Sequence, residues 1–119
     1  MASYVAEICD MNTLTWAQVV PIHGSQSGIA TRAGKVHSLL CNQAKEGYAD
    51  EVFEDKIFYR VTAYTNPRSV AALRAVVGSE DRLRVFEKIG VNRWVDQGEW
   101  LAANVAEEGE GTVFLLLRP

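Results

Sequence analysis

The chain has 119 residues, of which 48% are hydrophobic and 23% are charged, and these proportions exclude a disordered or fibrous protein. Its longest apolar runs, such as the one at 113–117, are too short to span a bilayer, and the N-terminus lacks the basic and apolar regions of a signal peptide. The net charge of −3 argues against a protein that binds nucleic acid through its overall charge alone. We therefore expect one soluble intracellular domain over residues 1–119.

The acidic residues are unevenly distributed along the chain. None occurs at 11–45 or at 56–79, although both segments contain arginine and lysine, and the acids cluster instead at 50–55, 80–81 and 107–110. If the two acid-free segments share a face of the fold, a polyanion can bind there despite the negative total. The alternative is that the arginines and lysines are ordinary solvated cations.

The first half of the chain predicts a short helix, a loop and two strands. The helix is expected near 15–20, and the glycine- and serine-rich segment at 22–35 predicts a long ordered loop. Loops of that length inside compact domains often carry function. The apolar run at 36–41 predicts a short strand, and the β-branched and aromatic residues of 56–64 predict a second one.

A second helix is expected at 67–77. Asn66 can cap its free amides, and Pro67 is tolerated at the first helical position. Apolar residues then recur at helical spacing, at Val70, Leu73 and Val77.

Three more strands follow this helix, at 82–89, 93–105 and 111–118, with a glycine turn between each pair. The total is five or six strands and one or two short helices. This order predicts an α+β domain built on a mostly antiparallel curved sheet or a small β-barrel.

Few residues suit metal binding or catalysis. Cys9 and Cys41 are too far apart in sequence to indicate a disulfide framework or a zinc site, and only His23 and His37 could add nitrogen ligands. The sequence contains no phosphate-binding glycine loop, no Ser-His-Asp order and no zinc deaminase spacing, and two isolated histidines do not provide the metal-binding set of an HNH nuclease. We expect no metal, no cofactor and no enzymatic activity.

One short segment concentrates acidic and aromatic residues. Tyr48 follows Gly47, and an aromatic strand begins at Lys56. Four carboxylates lie between them, at Asp50, Glu51, Glu54 and Asp55. The ordinary interpretation of such a cluster is a solvated turn. The alternative is that the tyrosine and one of the carboxylates belong to a binding site.

The order of these landmarks resembles the SRA (SET- and RING-associated, or YDG) domain of the PUA-like superfamily, most of all its bacterial form found beside HNH nucleases. The resemblance covers about 16–118. It is carried by six motifs, namely IHGSQSGIAT (22–31), GYADEVFEDKIFY (47–59), NPRSVAALRAVV (66–77), LRVFEK (83–88), WVDQGEW (94–100) and GTVFLLL (111–117).

The resemblance implies a PUA-like β-barrel that binds double-stranded DNA and flips one modified cytosine, 5-methylcytosine or 5-hydroxymethylcytosine, into a pocket. Such a domain is an epigenetic reader or the targeting module of a restriction-modification system, with a nuclease domain or subunit as a further partner. The expected compartment is the bacterial cytoplasm, at the nucleoid, or the nucleus of a eukaryote.

The resemblance also implies residues for the base pocket. Gly47 and Tyr48 match the glycine and the tyrosine of one pocket wall, and either Asp50 or Glu51 matches the acid that accepts from the exocyclic amine of cytosine. The tyrosine of the second wall has no gapless match, since Arg60 occupies that position. Either a bulge returns Tyr59 to the pocket, or Arg60 stacks its guanidinium plane on the base.

Further residues are implied as contacts to the DNA backbone or as fillers of the gap left by the flipped base, namely His23, Gly24, Ser25, Gln26, Ser27, Arg32, Lys35 and Arg68. Their ordinary interpretation is a self-stabilised loop and plain surface cations. We expect Trp94 and Trp100 to pack in the core and assign no tryptophan to the pocket. One alternative function is a PUA-like domain that binds a protein or a small molecule, with the acidic edges at 50–55 and 107–110 as the contact surface. A further alternative is a PUA-like domain that binds RNA.

Overall fold

The computed structural model describes residues 13–44 and 48–119. Within these residues the chain forms two helices and seven strands. In chain order they are α1 (Trp16–His23), β1 (Ile29–Arg32), β2 (Lys35–Asn42), β3 (Glu51–Val52), β4 (Lys56–Val61), α2 (Pro67–Ala75), β5 (Arg82–Gly90), β6 (Arg93–Glu108) and β7 (Gly111–Leu117). The predicted α+β class is confirmed. Gly47 and Cys9 lie outside the described residues.

All seven strands belong to one sheet with the order β1-β2-β5-β6-β7-β4-β3. Neighbouring strands are antiparallel except for β2 and β5, which are parallel because the chain crosses over through β3, β4 and α2 between them. The predicted mostly antiparallel sheet is confirmed. The sheet curves strongly, since α2 follows β4 at one end of the sheet yet packs against β1 and β2 at the other end.

The main hydrophobic core lies between this sheet and α2. Trp100, Phe114 and Leu39 are fully buried in it, together with Leu73 of α2 and Val76, which follows the end of that helix. The alternation of buried and exposed residues along β4 and β7 places every second side chain in this core. Trp100 is therefore packed, as predicted, and its indole N–H donates to the carbonyl oxygen of Gln97 at 3.0 Å.

A smaller apolar cluster lies beneath α1. Val19, Phe86 and Trp94 are buried there, with Leu14, Trp16 and Leu40 packed against them. Helix α1 begins after Thr15, whose backbone N–H donates to the side chain of Gln18 at 2.9 Å. It ends at Gly24, which has a φ of 80°.

The predicted long loop at 22–35 is wrong in part. Helix α1 extends to His23, and residues 29–32 form strand β1, so the loop is reduced to 24–28. A two-residue turn at Ala33 and Gly34, with φ values of 54° and 78°, joins β1 to β2. The four residues of β1 show too little alternation to indicate a strand, and the same holds for the two residues of β3.

Candidate functional site

A cavity of about 340 Å³ lies where the two ends of the curved sheet approach each other. We call it the tyrosine cavity, because it is bordered by two tyrosines. Most of its lining comes from the two acid-free segments. The first segment contributes Ser27, Gly28, Ile29, Leu40 and Asn42, and the second contributes Tyr59, Arg60, Val61, Thr65, Asn66 and Ser69. The remaining lining residues are Tyr48, Lys88 and Trp94. None of these described lining residues is acidic. The two acid-free segments therefore share one face of the fold.

Tyr48 and Tyr59 form walls of the tyrosine cavity. Tyr48 is 37% exposed, whereas Tyr59 is only 3% exposed. Tyr59 faces inward in regular alternation with Ile57 and Val61, and β4 pairs with β7 residue for residue without a bulge. The bulge considered from the sequence is therefore absent. Tyr59 borders the cavity from the buried side of β4, next to the β3–β4 hairpin in which Glu51 pairs with Phe58.

Asp50 is the buried carboxylate at the base of this wall. It is 1% exposed, and its Oδ1 and Oδ2 atoms accept from the backbone N–H groups of Arg60 and Asn42, each at 2.8 Å. Its own N–H donates to the carbonyl oxygen of Asn42 at 3.2 Å. Asn42 and Arg60 both border the tyrosine cavity, so Asp50 lies directly behind its lining and links β2 to β4. Of the two predicted acids, the structure places Asp50 beside the cavity.

Glu51 points away from the cavity, toward the guanidinium of Arg60. Nη1 of Arg60 donates to Glu51 at 2.6 Å and to the carbonyl oxygen of Ala49 at 2.9 Å, and Nε donates to Glu108 at 2.7 Å. The hydrogen bonds to Glu108 and then Glu51 raise the pKa of the Arg60 guanidinium. Arg60 also borders the tyrosine cavity, so its stacking on a base stays a prediction. The guanidinium anchors the segment that carries Tyr48 and Asp50.

The hydroxyl of Tyr59 lies close to the backbone of Gly28. A Cβ atom added at Gly28 would lie 3.1 Å from Oη of Tyr59. Burial raises the pKa of the Tyr59 phenol well above 10, and the nearby charge of Asp50 raises it further. The phenol is therefore neutral at physiological pH and retains an O–H donor.

His23 does not reach the surface, which corrects its assignment as a DNA contact. Its side chain is fully buried. Nε2 lies 2.6 Å from the carbonyl oxygen of Ser27, so this nitrogen carries the proton, and Nδ1 then accepts from Oγ of Ser38 at 2.7 Å. Burial lowers the pKa of His23, which keeps the ring neutral. The residue fixes the 24–28 loop to β2.

The tip of this loop remains available at the surface. Gln26 is exposed, and the hydroxyl of Ser25 accepts from the backbone N–H of Ser27 at 3.0 Å, which stabilises the turn. Gly24 closes helix α1. The loop thus presents the amide side chain of Gln26 beside the tyrosine cavity, where Ser27 and Gly28 form part of the lining.

The predicted phosphate contacts all lie on the surface but outside the tyrosine cavity. Arg32, Lys35 and Arg68 are exposed, and Lys35 lies 3.8 Å from Asp81. Arg68 follows Asn66 at the start of α2, where the Asn66 side chain accepts from the Arg68 backbone N–H at 2.9 Å. Its neighbour Ser69 borders the cavity, so Arg68 is the predicted cation nearest to it along the chain.

Sequence reasoning named four of the fourteen described residues that line the cavity and missed ten. Two of the ten are Lys88 and Trp94. They pair across β5 and β6. Trp94 is 8% exposed, which agrees with the predicted packing, yet its remaining surface borders the cavity. The sequence signal that could have indicated them is that Lys88 and Trp94 lie on either side of the predicted glycine turn between β5 and β6, where two strands pair.

No family model matches the chain, and no curated protein matches it. Solved structures do match. The SRA domain of SUVH5 in complex with hemi-methylated CG DNA superposes with a TM-score of 0.70 at 23% identity, covering 85% of this chain and 79% of that one. This chain has the SRA fold. The similarity that six short motifs indicated is therefore confirmed at the level of the fold.

Two other structures extend the comparison of the SRA fold. The SUVH5 SRA domain bound to fully hydroxymethylated CG DNA has a TM-score of 0.65 at 22% identity, with coverage of 85% of this chain and 80% of that one. The DNA modification-dependent restriction endonuclease AspBHI has a TM-score of 0.63 at 15% identity, with coverage of 83% and 65%. The described part of this SRA fold contains no group of three or more residues suited to hold a metal ion, and none of its helices is long and apolar enough to cross a membrane.

Proposed function

We propose that this domain binds double-stranded DNA and holds one flipped cytosine, carrying a methyl or hydroxymethyl group at C5, in the tyrosine cavity. The observation that carries this proposal is the cavity itself, with Tyr48 and Tyr59 as its walls and an acid-free lining. A base inside a duplex is stacked on both faces, so it must leave the helix to enter such a site.

The lining suits a modified cytosine chemically. Aromatic rings offer a stacking surface, worth about 1–3 kcal/mol per base. Ile29, Leu40 and Val61 provide apolar contacts for a methyl group. Asp50 lies behind the lining at the junction of β2 and β4, which is the place from which a carboxylate can accept from the exocyclic amine.

The charge pattern supports DNA as the partner. Lys88 borders the cavity, and the exposed Arg68 adjoins the lining residue Ser69 in sequence, so the phosphates of a bound strand meet cations at this face. Two acids of the edge at 107–110, which the alternative function would use to bind a protein, form ion pairs within the domain. Glu108 pairs with Arg60 at 2.7 Å, and Glu107 pairs with Arg74 at 2.6 Å. These ion pairs favour DNA over the alternative of a protein docked on the acidic edges.

The solved structures of the same fold support the proposal by analogy. SUVH5 SRA domains were crystallised with methylated and hydroxymethylated DNA, and AspBHI is a modification-dependent endonuclease. We infer that this domain is a reader, and that cleavage, where it accompanies reading, belongs to a partner nuclease domain or subunit. Its place of action is then wherever the modified DNA lies, at a nucleoid or in a nucleus.

The test is a binding titration with duplexes that differ only at C5 of one cytosine. We expect at least roughly tenfold tighter binding to the modified duplex and a loss of about tenfold or more on Tyr48→Ala, because one stacking surface is removed. Phe53→Ala serves as the control, since this exposed aromatic lies on the β3–β4 turn outside the cavity. Equal affinity of the wild type for modified and plain duplexes would refute the proposal.

A further inference from the structure

A second groove of about 340 Å³ adjoins the tyrosine cavity. We call it the tryptophan groove. It is lined by Trp16, Gln26, Leu40, Lys88, Asn92 and Trp94. Leu40, Lys88 and Trp94 also border the tyrosine cavity, so the two spaces are continuous along one face.

The tryptophan groove has a fixed aromatic wall. The ring centroids of Trp16 and Trp94 lie 5.3 Å apart at an interplanar angle of 37°, and Trp16 remains partly exposed. The backbone N–H of Trp16 donates to the side chain of Asn92 at 2.8 Å, and Leu14 and Trp94 exchange backbone hydrogen bonds of 2.7 and 2.8 Å. These hydrogen bonds tie Leu14 and Trp16 to Asn92 and Trp94 around the β5–β6 turn. The indole of Trp16 is therefore held in place before any ligand binds.

The polar groups of the groove suit an anionic ligand. Lys88 forms no ion pair with any described residue, and none of the residues that line the groove is acidic. The adjacent Glu87 is engaged by the side-chain amides of Gln43 at 2.5 Å and Gln97 at 2.8 Å. Lys88 borders both the groove and the tyrosine cavity, so a phosphate between two nucleotides in these spaces would meet its ammonium group.

We propose that the tryptophan groove is a second nucleotide subsite, which takes the nucleotide next to the flipped base in the same strand. Lys88 binds the phosphate that links the two nucleotides, Trp16 provides the stacking surface for the second base, and Gln26 offers its amide to the edge of that base. The inference rests on the proposed function, because the tyrosine cavity fixes which nucleotide lies next to the groove.

Tryptophan fluorescence gives a direct readout of this subsite. Stacking of a base on Trp16 quenches its emission. Trp94 is only 8% exposed and contributes a smaller part of the quenching, and Trp100 is fully buried in the core and reports no contact. Saturation with a duplex that contains one modified cytosine is expected to quench wild-type emission, and Trp16→Phe is expected to lose most of that quenching while still binding DNA. Quenching of the same extent in Trp16→Phe would overturn the subsite.

Affinity measurements supply an independent test. Trp16→Leu, which keeps apolar packing, and Lys88→Gln, which leaves the hydrophobic clusters intact, are each expected to weaken binding by roughly five- to tenfold. Lys88→Gln is also expected to reduce the slope of log affinity against log salt by about one. Both variants should keep the wild-type preference for modified over plain duplexes, because the tyrosine cavity is unchanged.

The matched controls are Phe53→Leu and Lys56→Gln, which alter an exposed aromatic and a lysine near the β3–β4 turn. These controls are expected to bind as the wild type does. Wild-type affinity in Trp16→Leu and Lys88→Gln, combined with a wild-type preference for the modified duplex, would refute the subsite and leave the proposed function standing. Absence of that preference in the wild-type protein would instead refute the proposed function, and the subsite with it.

Discussion

At the scale of single residues, two neighbours on β4 have opposite roles. Tyr59 is buried and borders the tyrosine cavity, whereas the guanidinium of Arg60, which also borders the cavity, donates to Ala49, Glu51 and Glu108. The backbone N–H of Arg60 at the same time donates to Asp50. Arg60 therefore fixes the segment that carries Tyr48, the first wall of the cavity, while Tyr59, the residue before Arg60, forms the second wall.

The close approach of the Tyr59 hydroxyl to Gly28 predicts that a side chain at position 28 weakens DNA binding and has little effect on stability. In Gly28→Ala the new Cβ would lie 3.1 Å from Oη of Tyr59, so the phenol must shift by a few tenths of an ångström. We expect a loss of affinity for modified DNA of roughly three- to tenfold, with a small change in the free energy of unfolding. Titrations of the wild type and of Gly28→Ala with the same modified duplex measure this loss of affinity.

A double-mutant cycle identifies the cause of that defect. Tyr59→Phe removes the oxygen that the new methyl group contacts, so Gly28→Ala should cost less in the Tyr59→Phe background than in the wild type. Equal losses in the two backgrounds would show that the Gly28 effect does not act through Tyr59.

The buried histidine predicts a pH dependence of stability. The pKa of His23 is lowered in the folded state by burial, so below about 6.5 the unfolded chain binds a proton that the folded chain does not. The stability contributed by neutral His23 is thus present above that pH and is lost as the pH falls toward the lowered value. Urea unfolding at pH 7.5, 6.5 and 5.5 should show a steeper decline for the wild type than for His23→Gln.

His37 provides the internal comparison for this experiment. Burial and then the charge of Arg32 lower its pKa as well, and this contribution is present in both proteins. The contribution of His37 therefore cancels when the pH dependence of stability of His23→Gln is subtracted from that of the wild type. Parallel declines in the two proteins would contradict a neutral buried role for His23.

At the scale of elements, most of the fold followed from local patterns. Asn66 and Pro67 marked the start of α2 because capping and proline geometry are local effects. Alternation predicted β4 through β7 for the same reason. Strands β1 and β3 were missed because two to four residues carry no periodicity, and their pairing depends on partners distant in space.

The candidate site was less accessible to sequence reasoning than the fold. Tyr48 and the nearby acids were visible as a motif, but which of Tyr59 and Arg60 faces inward depends on how β4 pairs with its neighbours in the sheet. Lys88 and Trp94 join the site only because the sheet curves and brings its two ends together. Curvature of this kind is a property of the assembled sheet.

The contact between β4 and β7 predicts a destabilising substitution. A Cβ atom at Gly111 would lie 2.5 Å from the carbonyl oxygen of Val61, so Gly111→Ala must push the two strands apart. We expect a loss of about 1–3 kcal/mol in the free energy of unfolding, typical of overpacking. Gly90→Ala is the matched control, because its Cβ would meet only Arg93 at 3.6 Å, and its effect should be small. Similar losses in both variants would contradict the assigned contact.

At the scale of the whole molecule, the distribution of charge matters more than its sum. The chain carries a net charge of −3, yet the described residues that line the tyrosine cavity and the tryptophan groove include no acid. Acids outside these two linings are paired with Arg60, Arg74 and Arg84. The fold thereby presents one face to a polyanion while the remaining surface keeps the net charge negative.

The central claim is that the tyrosine cavity takes a base out of the duplex. Proton NMR of the DNA tests it most directly, because the imino proton of the guanine opposite the modified cytosine exchanges rapidly with water once its partner has left. At one equivalent of protein we predict that this resonance disappears while those of distant base pairs persist, and that the Phe53→Ala control gives the same result. A saturated wild-type complex in which the resonance remains would contradict the account.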